Sequence, residues 1–203
     1  MNRTDFESRY DVSRETIERL DTYEALLRKW TPKINLVAPS TLREVWSRHF
    51  SDSAVLWQQD LTPEHWVDLG SGGGFPGLVL AILNAHSGTR FSLVEADTRK
   101  AVFLRQVIRE TGINATVHTA RIEALSPLEA DVISARALAS LPQLLEYMHR
   151  HAKASGVGLF PKGVQWQQDL RAAQACWTFK HSIHPGGTDS EGVVLRIEDL
   201  SRA

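Results

Sequence analysis

Apolar residues recur at helical spacing through the first part of the chain and then give way to short runs of another period. Ile17, Leu20, Tyr23, Leu27 and Trp30 fall on one helix face, with Ser13 as N-cap and Thr31-Pro32 as the expected stop. Thr4-x-x-Glu7 has the form of a capping box and predicts a shorter helix ahead of this one. A further start at Ser40 leads to Leu42, Val45, Trp46, His49, Phe50, Ser53 and Leu56 along one face. Residues 1–60 are therefore expected to form a helical extension packed on the core, against a sheet edge. His49 on such an apolar face reads first as a core histidine, not as a ligand.

From residue 65 the pattern alternates between strand and helix. Strands are predicted at Arg90–Glu95, Ala115–His118 and Asp131–Ser134, and helices near 76–85, 98–111, 140–153 and 164–176. That order describes a doubly wound α/β unit over residues 61–203. The end is different: Trp177, Phe179, His181 and Ile183 alternate with polar residues, Pro185-Gly186-Gly187 turns, and Val193, Leu195 and Ile197 alternate again. This is the signature of an antiparallel hairpin.

Between the first strand and the first helix of this unit lies Asp68-Leu69-Gly70-Ser71-Gly72-Gly73-Gly74-Phe75-Pro76-Gly77. Such a glycine-rich passage lets backbone approach a ligand at the carboxyl end of a strand. Two cofactor classes fit it. Gly72-x-Gly74-x-x-Gly77 satisfies the dinucleotide fingerprint, while Asp68-x-Gly70-x-Gly72-x-Gly74 resembles motif I of the class I S-adenosylmethionine-dependent methyltransferases. Glu95 ends the next strand 21 positions past Gly74, where a carboxylate can accept ribose hydroxyls in either class. A terminal hairpin favours the methyltransferase sheet, since a dehydrogenase more often continues with a second parallel half. The dehydrogenase reading also lacks a Tyr-x-x-x-Lys pair, because Tyr147 is followed four places on by His151. A non-catalytic RNA-binding factor that keeps the cofactor fold is the remaining alternative.

Further motifs recur in order. Lys33-Ile34-Asn35-Leu36-Val37-Ala38, Arg48-His49-Phe50-Ser51-Asp52-Ser53, Arg121-Ile122-Glu123, Ser134-Ala135-Arg136-Ala137 and Pro161-Lys162-Gly163 stand around the glycine passage, and together they resemble the RsmG (GidB) family. Its members are bacterial 16S rRNA guanosine-N7 methyltransferases. The resemblance covers roughly residues 25–200, with Val37 where many members have Thr and Val79 where many have Pro. It implies a class I methyltransferase (Rossmann-like) seven-stranded sheet, mostly parallel, with the hairpin at its end. It implies S-adenosyl-L-methionine as cofactor and 16S rRNA or the small ribosomal subunit as partner, with a guanosine of the 530 loop as target. Gly70, Gly72 and Phe75 would line the cofactor, Glu95 its ribose, and Ile122 and Glu123 its adenine. Arg136 and Lys162 would border the methyl-transfer site, Arg136 meeting either the cofactor carboxylate or RNA phosphate. Asn35, Arg48, His49 and Asp52 form a second tier that builds the substrate side or fastens the cap.

Composition narrows the chemistry. The single cysteine, Cys176, excludes an internal disulfide framework and points to a reducing compartment; it also falls in a predicted helix, remote from every motif-bearing strand end, so a thiolate nucleophile for cytosine C5 is not expected. An Asn/Asp-Pro-Pro-aromatic turn for exocyclic amines is replaced by Ser134-Ala135-Arg136. No HExxH or Cys/His cluster suggests a metal. Net charge is −1, yet residues 90–165 hold ten Lys or Arg against seven Asp or Glu, a modest excess suited to transient contact with RNA phosphates. With no signal-peptide core and no long uncharged stretch, a cytoplasmic, monomeric protein without membrane association is expected.

Overall fold

The computed structural model describes residues 1–59, 61–187 and 192–203. Helix α1 (Arg3–Tyr10) opens on a capping box, two residues earlier than expected: Asn2 Oδ1 accepts from the Asp5 amide and Asp5 Oδ2 from the Asn2 amide, both at 3.0 Å. Thr4 is already inside the helix. Helix α2 (Arg14–Ile34) starts at Ser13 and runs through Pro32 instead of stopping before it. The proline lies in the last turn, where only one backbone bond is lost, and Asn35 in the left-handed region (φ 51°) closes the helix with its N–H on the Thr31 carbonyl at 2.9 Å.

The regular helix predicted from Ser40 is replaced by three short pieces. A 3₁₀ segment (Pro39–Glu44) leads into a π-helical segment (Val45–Ser51) and a single turn, α3 (Asp52–Ala54). The wider π turn still buries Val45, Trp46, His49 and Phe50 together.

The remaining elements alternate as predicted: β1 (His65–Leu69), α4 (Gly77–Leu83), β2 (Arg90–Val94), α5 (Thr98–Thr111), β3 (Ala115–His118), β4 (Ala130–Ser134), α6 (Leu141–His151), β5 (Ala152–Lys162), α7 (Trp166–Gln174), β6 (Trp177–Pro185) and β7 (Val193–Arg202). They form one seven-stranded sheet of order β3-β2-β1-β4-β5-β7-β6, parallel up to β5 and antiparallel where β7 enters between β5 and β6. The tip of the hairpin beyond Gly187, and the junction at Asp60 expected between extension and core, lie outside the described residues.

Period-two alternation in β1 divides the core. Trp66 points to the face carrying α4 and α5, whereas Val67 and Leu69 point to the face carrying α6 and α7. The N-terminal helices do not sit at a sheet edge. Helix α2 lies on α5 and α4, with Ile17, Leu20, Tyr23 and Leu27 fully buried in the same cluster as Phe103 and Val107. An apolar stripe of that width needs another helix layer, which no edge strand supplies. Polar ties fix it there: Trp30 Nε1 donates to Gln106 Oε1 and Arg19 Nε to the Thr111 carbonyl, each at 3.0 Å.

Chain order reverses between β1 and β4, and there open α/β sheets bind ligands at the strand ends. A buried relay joins these two strands. Trp66 Nε1 donates to Ser134 Oγ at 3.0 Å, and Ser134 Oγ donates to Asp68 Oδ1 at 2.7 Å. Burial pushes the Asp68 carboxyl up to about 6, against the opposing pull of Ser71, Ser134 and the Arg136 charge.

Two outcomes follow from this packing. An unfolded aspartate ionises near 3.9, so the folded state holds the Asp68 proton more tightly; the stability present below about pH 4 is lost as pH rises through about 6. Asp68→Asn should remove that segment, shifting the difference in unfolding free energy between variant and parent in the variant's favour by up to about 3 kcal/mol from pH 4 to 7. Urea titrations across that range test it, and a pH-independent difference would rule it out. Separately, the Tyr23 hydroxyl donates to the buried Gly73 carbonyl, so Tyr23→Phe should cost about 1–3 kcal/mol in the same assay at pH 7.

Candidate active site

The glycine passage leaves β1 and enters α4 through conformations that side chains resist. Gly70, Gly72 and Gly74 have φ of 65°, 55° and 94°. At Gly74 an added Cβ would stand 2.4 Å from Leu78 Cδ1 and 2.6 Å from the Tyr23 hydroxyl. Gly72 is different: its nearest neighbour would be the Gly70 carbonyl at 3.8 Å, so its missing side chain leaves open space. The Gly72 amide donates to Glu95 Oε2 at 2.8 Å, while Glu95 Oε1 accepts from the Asp97 amide at 2.7 Å. One acid at the end of β2 thus ties the glycine passage to the N-terminus of α5, where Asp97 caps the helix.

These residues open onto a cavity of about 330 Å³ whose lining includes Gly70, Gly72, Glu95, Ile122 and Glu123. Its size lies at the lower end of small-molecule sites. The donor set fits a nucleoside: backbone without side chains on one wall and a carboxylate with lone pairs to spare beside it. The apolar Ile122 stands in the 3₁₀ turn Ile122–Ala124, pinned by His151 Nε2 on its carbonyl at 3.0 Å. Glu123 Oε1 accepts from the Tyr147 hydroxyl at 2.6 Å, which holds its carboxyl below the usual range. Tyr147, Lys100 and Arg121 also border this cavity, and sequence reasoning gave none of them a place there. The signal for Tyr147 was its position between Leu144 and His151 on the inner side of α6.

Phe75, expected beside these glycines, is not among the residues lining this cavity. Its ring is buried under the N-terminal cap, stacked on Tyr23 (centroids 5.4 Å apart) and His49 (4.8 Å). A phenylalanine following the glycines has a large apolar surface to bury, and the cap helices supply that environment.

A second cavity, of about 300 Å³, is lined by Asp52, Arg136, Pro161 and Lys162 among others. Ala137 borders both cavities, so the Arg136-Ala137 turn after β4 stands between them. The Arg136 guanidinium lies 5.1 Å from the centroid of the Phe75 ring. Burial disfavours its charge, and Asp52 and Asp68 act in the opposite direction. Lys162, at the end of β5, pairs with Asp169 Oδ2 of α7 at 2.9 Å and donates to the Ala139 carbonyl at 3.3 Å. Of the second-tier residues, Asp52 lines this cavity, Arg48 offers its carbonyl to Arg136, and Asn35 is the C-cap of α2. Among the described residues no helix is long and apolar enough to cross a membrane.

Solved structures share the fold. A SAM-dependent methyltransferase from Aquifex aeolicus superposes with a TM-score of 0.60 at 14% identity, over 86% of this chain and 97% of that one. An O-methyltransferase from Bacillus cereus in complex with SAH gives 0.57 at 17% identity, over 92% and 91%. Sequence relatives are far nearer. The ribosomal RNA small subunit methyltransferase G of Rhodospirillum centenum is 51% identical over 98% of this chain and 91% of its own length. That of Parvibaculum lavamentivorans is 50% identical over 96% and 88%. The model of the GidB family, rRNA small subunit methyltransferase G, matches residues 16–188, a span that takes in most of α2, the glycine passage, the first cavity and most of the second. On this evidence the chain belongs to the rRNA small subunit methyltransferase G (GidB) family.

Proposed function

We propose that the chain methylates N7 of a guanosine in the 530 loop of 16S rRNA, using S-adenosyl-L-methionine. The observation that carries this reading is the single turn, Arg136-Ala137, shared by a nucleoside-sized cavity and a second, cation-bearing one. Family membership supplies the RNA. On this reading Gly70 and Gly72 leave room for the cofactor, Glu95 accepts its ribose hydroxyls, and Ile122 and Glu123 border its adenine. Bound there, the cofactor supplies an electrophilic methyl group on a sulfonium.

Guanine N7 carries an in-plane lone pair and no proton, so no general base has to be found among the side chains. The work left to the protein is placement and exclusion of water. Arg136 and Lys162 stand where anions, either the cofactor carboxylate or RNA phosphates, would be received. A thiolate route to cytosine C5 has no support here: the single cysteine, Cys176, is exposed just past α7 and borders neither cavity. The reading places the protein in the cytoplasm, acting as a monomer on 16S rRNA or the small subunit.

N7-methylguanosine can be cleaved by reduction and aniline, so primer extension on treated small-subunit RNA should lose one stop in a deletion strain. The parent gene should restore it, and Gly72→Val should not, because its side chain would enter the open space of the first cavity. A stop that persists in the deletion strain, or a methyl group on another base, would refute the assignment. Arg136→Ala and Lys162→Ala should each lower single-turnover methyl transfer about 10- to 100-fold while cofactor affinity, read by calorimetry, changes less. Unchanged rates in both would move the substrate face elsewhere.

A further inference from the structure

The N-terminal cap meets Arg136, beside the second cavity, through a buried ring. His49, in the π-helical segment, has Nδ1 3.2 Å from Arg136 Nη2 and Nε2 2.8 Å from Thr41 Oγ1. The direction of each bond in this row is fixed by its ends. Thr41 spends its hydroxyl proton on the Ala38 carbonyl at 2.8 Å, so towards His49 its oxygen can only accept. Nε2 must therefore carry the imidazole proton. Arg136 has only donors, so Nδ1 must offer a lone pair. The row reads Arg136 Nη2–H to His49 Nδ1, His49 Nε2–H to Thr41 Oγ1, and Thr41 Oγ–H to the Ala38 carbonyl.

A protonated imidazole would break the row at Nδ1, where two donors would then face each other, while Nε2–H would still donate to Thr41. The surroundings oppose that state: burial, then the charges of Arg136 and Arg48, lower His49 to about 4. The ring is also fixed in plane by its stack on Phe75, 24° from parallel, and Phe75 in turn carries the Arg136 guanidinium on its face. Arg136 Nη1 completes the clamp with a long bond to the Arg48 carbonyl at 3.4 Å.

We propose that His49 is a positioning residue for methyl transfer, held by Thr41 as the neutral Nε2–H tautomer so that Nδ1 aims the Arg136 guanidinium into the second cavity. The inference rests on the reading of Arg136 given above. It makes His49 neither a core filler nor a base, but an acceptor of one specified tautomer.

The test uses the full-length protein with small ribosomal subunits from a deletion strain. His49→Phe keeps a ring to stack on Phe75 but removes the acceptor; its single-turnover rate should fall about 10- to 100-fold with cofactor affinity retained. His49→Asn, whose Oδ1 can take the place of Nδ1, should recover most of that loss. Thr41→Val frees the tautomer and should give a smaller fall. Long-range ¹⁵N–¹H correlation spectra of ¹⁵N-histidine-labelled parent at pH 7 should show His49 protonated at Nε2 alone, with its Nδ1 resonance moved by Arg136→Ala and a share of Nδ1–H form in Thr41→Val. A parent His49 protonated at Nδ1 overturns the proposal, as does a loss equal in the Phe and Asn variants. An inactive Arg136→Ala beside a fully active His49→Phe overturns this inference alone, whereas a fully active Arg136→Ala removes the reading beneath it as well. Should His49→Phe fail to fold, the Asn and Val variants and the spectra still decide.

Discussion

Between Leu69 and Gly77 the chain must turn from the end of β1 into α4 through a space already filled from both sides, and most of the molecule is arranged around that constraint. Sheet and cap press on the same few residues. A Cβ at Gly77 would come within 2.4 Å of Leu93 Cδ2, and one at Gly73 within 3.0 Å of the Leu36 carbonyl. Tyr23 from α2 bonds the Gly73 carbonyl, while Glu95 from β2 takes the Gly72 amide. The passage is thereby held by the cap on one side and by the sheet on the other, with the first cavity on the remaining face. This makes the N-terminal helices a support behind the glycine passage, continuous with the α4/α5 core.

Two carboxylates at adjacent strand ends show how position divides labour. Asp68 is fully buried, bonded to Ser134, and carries a raised pKa, so its contribution is to link β1 to β4 where the strand order reverses. Glu95, one strand over, accepts two backbone amides and still borders the cavity. The first is matched to a structural role because ionising it in place is costly. The second can both shape the glycine passage and meet a ligand, since a carboxylate has more acceptor sites than two amides use.

What could be read in the sequence follows from how local each signal is. Glycines that need positive φ, an acid ending a strand, and period-two or 3.6-residue apolar repeats are local, and they placed the sheet, α4 to α7 and the terminal hairpin within a few residues. Pro32 and the Ser40 segment depended on tertiary packing. A proline in a last turn is tolerated if the helix is already held by α5, and the choice between α and π winding at Val45–Ser51 turns on fitting His49 and Phe50 against Phe75. Phe75 itself shows the limit most clearly. Gly70 and Gly72 shortly before it border the first cavity, whereas its ring turns to the cap, towards Tyr23 and His49, 52 and 26 positions away in sequence.

The two cations at the second cavity are held in contrasting ways, and the contrast bears on how such a site can serve a polyanion. Lys162 is paired with Asp169, which reduces what it can offer an incoming phosphate and anchors α7 to the end of β5. Arg136 is held by a carbonyl, a neutral ring nitrogen and an aromatic face. Those contacts set its direction, while the carboxylates of Asp52 and Asp68 favour its charge from nearby. Positioning a cation by neutral groups requires a ring nitrogen that stays unprotonated, and the cap supplies it by burying His49 against Phe75 and ending the row of donors on the Ala38 carbonyl. The sheet alone would place Arg136 at the right strand end; the cap determines where its guanidinium points.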